Sequence, residues 1–300
     1  MYWEREKYKK TKSMTRTQVA GVVVLVAAEL LGWPCRAQAP PPDINVVLMK
    51  STFLLVGEGS QGTGFVLGRP EPGDPTKARY VLVTAAHVLQ EMKGETGAIF
   101  ARRKTGPMKW EGFIYTFRIR EGERQLWSKH PTADVAVIYL PLPDGTLDDL
   151  ASTQLLADDE MLSKFEVHPG DEANCLGYPL GNMSDQSGFP ILRSGKIASY
   201  PLWPTRDTRV FSLDVRVFPG NSGGPVYLSQ SNRIYGGAVH VGKVGMVLGV
   251  VTTWTLAQKL VPELFSQRLE TYPLDLAQVV HASLVREAIK MLPRPANAAK

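Results

Sequence analysis

Six consecutive residues, Gly220-Asn221-Ser222-Gly223-Gly224-Pro225, fit neither a helix interior nor a central strand. The three glycines tolerate positive φ and close backbone approach, and the proline removes an N–H donor. The segment is therefore a tight turn, with one hydroxyl near its centre. Such a turn can aim several N–H groups at a point beside the serine, as a nucleophile with an oxyanion hole requires. A plain glycine-rich hairpin turn has the same composition. The partners available to the serine elsewhere in the chain decide between the two.

A serine hydroxyl is a weak nucleophile at neutral pH and needs a base that is itself oriented by an acceptor. The histidines are His87, His130, His168, His240 and His281. His87 ends the run Tyr80-Val81-Leu82-Val83-Thr84-Ala85-Ala86-His87, which is β-type and then turns to small residues just before the ring. Small residues there leave room for an imidazole to face a cleft. Asp134 is a lone carboxylate opening Val135-Ala136-Val137-Ile138-Tyr139-Leu140, a run that reads as a strand buried on both faces. A charge at such a position requires a partner. A structural histidine and a turn aspartate are the plain readings of each residue taken alone.

In chain order these pieces resemble the trypsin-like (chymotrypsin-fold) serine peptidases, and most closely their bacterial Deg-type domains. Gly62-Thr63-Gly64-Phe65-Val66 resembles the opening strand of that family, and Thr84-Ala85-Ala86-His87 its histidine motif. Asp134-Val135-Ala136-Val137 resembles its aspartate motif, and Gly220 to Pro225 its serine motif. Gly170-Asp171-Glu172 with Gly177-Tyr178-Pro179-Leu180-Gly181 resembles the entry to its second barrel. The resemblance spans roughly residues 45–290 and keeps the order His, Asp, Ser. It implies an all-β fold of two six-stranded Greek-key barrels with the active site between them, closed by a C-terminal helix. It also implies a His87–Asp134–Ser222 triad and an oxyanion hole made by the N–H groups of Gly220 and Ser222. Thr252 would bind substrate backbone and contact Asp134. Arg216, six residues before the serine, would reach the base of the primary specificity pocket and favour an acidic substrate side chain; the alternative is an arginine facing solvent or paired with Asp214. Asn221 stands where digestive relatives carry the aspartate that binds a newly cut N-terminus, so no such zymogen switch is expected.

Two other function classes compete. Gly220 to Gly224 also fits the GxSxG elbow of α/β-hydrolases, with His240 or His281 as a late base and Asp275 as the acid. That elbow leads into a helix, whereas Pro225-Val226-Tyr227-Leu228 is a short β-type run. A peptide-binding module that keeps the fold without turnover would show a lost triad residue, and all three are present.

Charge and cysteine content narrow the setting. The net charge is +5, but residues 1–37 carry +4 of it, so the remainder holds +1 and gives no case for nucleic-acid binding. Residues 1–16 are basic and 17–33 largely apolar, and Pro34-Cys35-Arg36-Ala37-Gln38-Ala39 offers small residues in an A-x-A arrangement. This reads as a secretory signal over residues 1–37, and a cut after Ala39 is disfavoured by Pro40. The alternative is an uncleaved anchor, against which stand its length and Glu29. Loss of Cys35 leaves Cys175 alone, a small buried hydrophobe with no disulfide partner. A secreted relative without disulfides points to a bacterial, extracytoplasmic protein. No metal-ligand spacing occurs, no cofactor is expected, and the expected partners are polypeptide substrates. Membrane contact is expected only if the N-terminal segment stays uncleaved, and no motif sets an oligomeric state.

Along the chain, residues 38–44 read as a Pro-rich tether, 45–140 as the first barrel, 141–168 as an acidic linker with a helical turn, and 169–292 as the second barrel. Strands are expected at Val46–Leu55, Gly64–Leu67, Tyr80–Thr84, Trp110–Arg120 and Asp134–Leu140 in the first barrel. In the second they are expected at Ala173–Leu176, Ile191–Ser199, Val210–Leu213, Gly224–Tyr227, Ile234–His240, Met246–Thr252 and Leu276–His281. Trp254–Pro273 reads as an insertion, with helical composition over Leu256–Leu269, and the resemblance implies that it lies beside the specificity pocket. Ser283 is expected to cap a terminal helix, and 293–300 to be a disordered tail. No PDZ domain follows residue 292 within this sequence.

Overall fold

The computed structural model describes residues 43–71, 74–147, 149–262 and 267–293. The expected signal segment, most of the tether and all but the first residue of the expected tail lie outside the described residues. The chain forms strands β1 (Thr52–Glu58), β2 (Ser60–Glu71), β3 (Asp74–Thr84), β4 (Lys93–Gly106), β5 (Lys109–Arg118), β6 (Arg120–Glu121), β7 (Arg124–Gln125), β8 (Ser128–Lys129) and β9 (Ala136–Tyr139). Then come β10 (Glu172–Gly177), β11 (Ile191–Ile197), β12 (Val210–Asp214), β13 (Pro225–Tyr235), β14 (Ala238–Pro262) and β15 (Gln267–His281). Among the described residues four α-helices accompany them: α1 (Ile44–Ser51), α2 (Ala86–Glu91), α3 (Asp159–Lys164) and α4 (Ala282–Met291). The result is a mostly-β fold with a short C-terminal helix.

The second half closes as a six-stranded barrel in the order β10-β11-β12-β15-β14-β13. The first half is a seven-stranded sheet in the order β5-β4-β1-β2-β3-β9-β8, so the expectation of two six-stranded barrels is met in strand number by the second half alone. Strands β2, β3 and β9 are buried on both faces. Val66, Leu82, Ala136 and Ile138 pack into the core of their own sheet with Phe53, Ile99 and Phe117. The alternate residues Phe65, Leu67, Val81, Val83, Val135 and Val137 join a core shared with the second half. This is why these runs are almost continuously apolar where a half-exposed strand would alternate. Burial of each such side chain contributes about 2 kcal/mol.

Several expected elements differ. Val46–Leu55 is not one strand: Asp43 caps α1 by accepting the Asn45 N–H at 2.9 Å, and β1 begins at Thr52. Only Val47, Leu48 and Ser51 of α1 are buried, a one-sided helical pattern hidden within a β-branched run. The charged strand β4 has no counterpart among the expected strands. Ile234–His240 is a hairpin, with Ile234 opposite Val239 around Gly236-Gly237. Helix α4 starts at Ala282 with no side-chain cap, and Ser283 bonds instead to the Thr205 hydroxyl at 2.8 Å. The expected helical insertion is a β-arm. The β14–β15 ladder continues past the barrel from Leu256 opposite Pro273 to Leu260 opposite Leu269 and on to Pro262 opposite Gln267. The register shifts between Trp254 and Leu256, and beyond that irregularity the ladder resumes and pairs the two strands backbone to backbone, which a helix would forgo.

Candidate active site

Strand register delivers the histidine and the aspartate to one another. Thr84 pairs with Ala136 in the antiparallel β3–β9 ladder, so the chain just after Thr84 and the chain just before Ala136 leave the sheet side by side. His87 follows on the first turn of α2, and Asp134 lies in the loop before β9. Asp134 Oδ2 is 2.6 Å from His87 Nδ1, and Oδ1 accepts the His87 backbone N–H at 2.9 Å. An ionised carboxylate can only accept, so Nδ1 carries the proton and Nε2 is left with a free lone pair. The hydrogen bond to Asp134 raises the pKa of His87 above 6.5, with the carboxylate charge adding to it and burial opposing it. Burial pushes the Asp134 carboxyl up, but the bonds and charge of His87 with the Ala86 N–H outweigh it and hold the group below 3.8.

The serine turn is built by the strand pair β13–β14. Gly223 N–H donates to Val251 O at 2.7 Å and Val251 N–H to Gly224 O at 2.9 Å, which sets Ser222 against Thr252. The glycines are obligatory. A Cβ at Gly220, where φ is +95°, would lie 2.2 Å from Tyr178 O, and one at Gly223, where φ is +92°, would lie 1.9 Å from Thr63 O. Asn221 N–H closes the turn onto Phe218 O at 3.0 Å, and the Asn221 side-chain oxygen accepts the Phe218 N–H, also at 3.0 Å. The N–H groups of Gly220 and Ser222 have no acceptor among the described residues. Two such donors on one tight turn are what a developing oxyanion needs.

Ser222 is buried, and its hydroxyl donates to Thr252 O at 3.1 Å. The Thr252 hydroxyl donates to Gln278 O at 3.3 Å, so its bond goes to strand β15 where the family resemblance implied Asp134. Arg216 does not sit at the base of a buried pocket. It is exposed, with Nε 3.0 Å from Asp275 Oδ1, and its guanidinium lies 5.6 Å from the centre of the Phe218 ring. The carboxylate partner is Asp275 from β15, not Asp214. The late-base candidates of the hydrolase alternative are spent elsewhere: His240 stacks on Tyr235 at 3.6 Å, and His281 packs on Phe211 at 4.8 Å. Cys175 is fully buried, and burial raises its thiol to about 12, so it holds no thiolate at neutral pH. Among the described residues no three His, Cys, Asp or Glu side chains are grouped to hold a metal ion.

One residue at the serine turn escaped the sequence reading. Thr63, in β2, is fully buried. Its N–H donates to Ser222 O at 2.8 Å and its hydroxyl to Gly220 O at 2.6 Å. The available signal was its place between Gly62 and Gly64, where a side chain would meet Val88 or Leu82.

No curated protein matches this sequence significantly. Among solved structures the chain is similar to the inactive form of Rv3671c from M. tuberculosis H37Rv in a serine-to-alanine mutant. There the identity is 18%, with 87% of this chain and 99% of that one covered and a TM-score of 0.41. For the inactive form of the Rv3671c protease the values are 19%, 84%, 98% and 0.42. For HBP, solved at atomic resolution, they are 13%, 84%, 95% and 0.46. The family model described as "Trypsin-like peptidase domain" matches residues 62–236, more than half of the chain and from Gly62 through the serine turn. The chain therefore belongs to the trypsin-like peptidase family and is a serine-type hydrolase.

Proposed function

We propose that this protein is an endopeptidase that cleaves polypeptides through a covalent acyl-enzyme on Ser222. What supports the reading most is that both oxygens of Asp134 hold His87, at 2.6 and 2.9 Å. That pairing fixes the imidazole tautomer and leaves Nε2 as the base. In the reaction the Ser222 proton is redirected from Thr252 O to His87 Nε2 as Oγ attacks the peptide carbonyl carbon. The oxyanion that forms is held by the N–H groups of Gly220 and Ser222. Collapse breaks the C–N bond, and the imidazolium gives its proton to the departing amine. Water then repeats the sequence on the ester and restores Ser222, with Asp134 stabilising the imidazolium in both halves.

Substrate backbone would pair as an added strand along β14 near Thr252. Asn221 is satisfied within its own turn and carries no charge for an ammonium, so activity does not wait on a new N-terminus. The apolar residues 17–33 and the small residues around Ala37 support an extracytoplasmic, bacterial setting. Among the described residues no helix is long and apolar enough to cross a membrane.

A library of fluorogenic peptides tests the activity. Cleavage that creates new amino termini and is abolished by Ser222→Ala is expected. Peptides that bind with micromolar affinity and are never cut would favour a silent binding module.

A further inference from the structure

Hydrogen-bond donors in an oxyanion hole act only if their peptide planes are turned the right way. The Gly220 N–H belongs to the Pro219–Gly220 peptide, and in a trans peptide the N–H and C=O point in opposite directions. Whatever grips Pro219 O therefore aims the Gly220 N–H. That grip is Leu180 N–H, which donates to Pro219 O at 2.6 Å. Leu180 is a non-glycine residue at φ +55°, a backbone state that persists only where its surroundings impose it. The next carbonyl, Gly220 O, is held by the Thr63 hydroxyl at 2.6 Å.

The two grips are joined through one atom. Thr63 Oγ1 donates to Gly220 O and also accepts the Tyr178 N–H at 3.2 Å, so it ties the turn around Tyr178–Gly181 to the serine turn. That turn is shut by Gly181 N–H on Tyr178 O at 3.0 Å, and the same Tyr178 O lies against Gly220. A hydroxyl is the one small group that can donate once and accept once in this position. Valine has the same shape and can do neither.

We propose that Thr63 is a positioning residue, whose hydroxyl, together with Leu180 N–H, locks the peptides flanking Gly220 so that the Gly220 N–H faces the reacting carbonyl. It touches no reacting atom. The proposal rests on the peptidase reading, because it matters only if an oxyanion forms there. It also makes the first half of the chain, through β2, a contributor to a hole built on the second.

Three variants test it: Thr63→Val, Thr63→Ser and Thr63→Cys, with active sites titrated by a fluorophosphonate so that rates refer to folded enzyme. Thr63→Val is expected to lower kcat per titrated site more than tenfold with KM within about threefold, the mark of an interaction made in the transition state. Inhibition by a peptide boronate, whose tetrahedral adduct occupies the hole, should weaken in parallel. Thr63→Ser, which keeps the hydroxyl, should restore kcat to within about threefold of wild type. Thr63→Cys, a weak donor, should fall near valine and serves if the valine protein does not fold. Equal kcat per site in Thr63→Val or Thr63→Cys and in wild type, with only a lower melting temperature, would overturn the clamp and leave the peptidase reading intact. A serine variant as slow as valine would overturn the role of the hydroxyl. Wild type that neither labels nor cleaves would overturn the reading and the clamp together.

Discussion

At the scale of single residues, the proposed mechanism makes Asp134 and His87 set the pH response. His87 must be neutral to take the Ser222 proton, and its pKa is raised above 6.5 by the Asp134 hydrogen bond. Activity therefore falls as pH drops through a value above that of an ordinary histidine. Asp134→Asn removes the charge that raises the pKa and leaves the imidazole free to take the wrong tautomer. Its kcat is expected to fall by about 10,000-fold, with the acid limb moving to lower pH. A pH–rate profile of kcat/KM for both proteins checks this, and an unmoved limb would contradict the pairing. The sequence exposed these residues through context: an apolar run turning small before His87, and a lone carboxylate opening a buried strand. It does not expose the role of Thr63, because the flanking glycines mark a close approach there without naming the partners. For Arg216 the sequence leaves a pocket base, solvent and Asp214 all open, for a similar reason. Spacing from Ser222 gives a distance along the chain, while the partner Asp275 comes from β15, about sixty residues further on.

At the scale of elements, the most demanding feature is Arg102 of β4. It is buried, and its guanidinium donates to Lys50 O at 2.8 Å, Thr52 O at 2.7 Å, Gly188 O at 2.5 Å and the Tyr178 hydroxyl at 3.1 Å. It lies 4.7 Å from the centre of the Phe53 ring and 4.5 Å from that of Phe189. Backbone carbonyls at the C-terminal end of α1 take the place of a carboxylate, as the helix dipole favours. Arg102→Met takes the guanidinium donors from Lys50 O, Thr52 O and Gly188 O, leaving the last two only the Tyr178 hydroxyl to share, and is expected to lose about 3 kcal/mol of stability in urea unfolding. Arg102→Lys should recover little, because one ammonium cannot reach a forked set of acceptors. A loss under about 1 kcal/mol would show that these bonds are dispensable.

Sequence patterning revealed β2, β3 and β9 because burial on both faces leaves an unbroken apolar run. It failed where a tertiary partner decides the local structure. Helix α1 depends on the Asp43 cap and on Arg102, and the β-arm beyond Trp254 depends on a ladder inherited from the barrel. The composition of the arm favours helix, but composition is a weak prior against cross-strand pairing that resumes beyond the register shift at Trp254–Leu256.

At the scale of the whole molecule, the proposed site lies where elements of both halves meet: His87, Asp134 and Thr63 come from the first, Ser222, Gly220 and Thr252 from the second. The bond from Thr63 N–H to Ser222 O, at 2.8 Å, joins them directly. Activity should therefore be lost with, or before, separation of the halves. A buried histidine makes the second half acid-sensitive. Burial lowers His281 to about 4 from its ordinary 6.5, so the unfolded chain takes up the proton first. The stability from its neutral state is present above pH 6.5 and is lost progressively as pH falls toward 4. Between pH 7 and 4.5 this amounts to about 2 kcal/mol, and His281→Asn should flatten the wild-type decline by that much in urea unfolding. An unchanged slope would place the acid sensitivity in other groups.

In the proposed mechanism Ser222 is a nucleophile activated by His87. Mass-mapped fluorophosphonate labelling at pH 8 tests it most directly. One adduct is expected, on Ser222, abolished by Ser222→Ala and slowed at least about a thousandfold by His87→Ala. No adduct on Ser222, or labelling that survives loss of His87 at the wild-type rate, would contradict it.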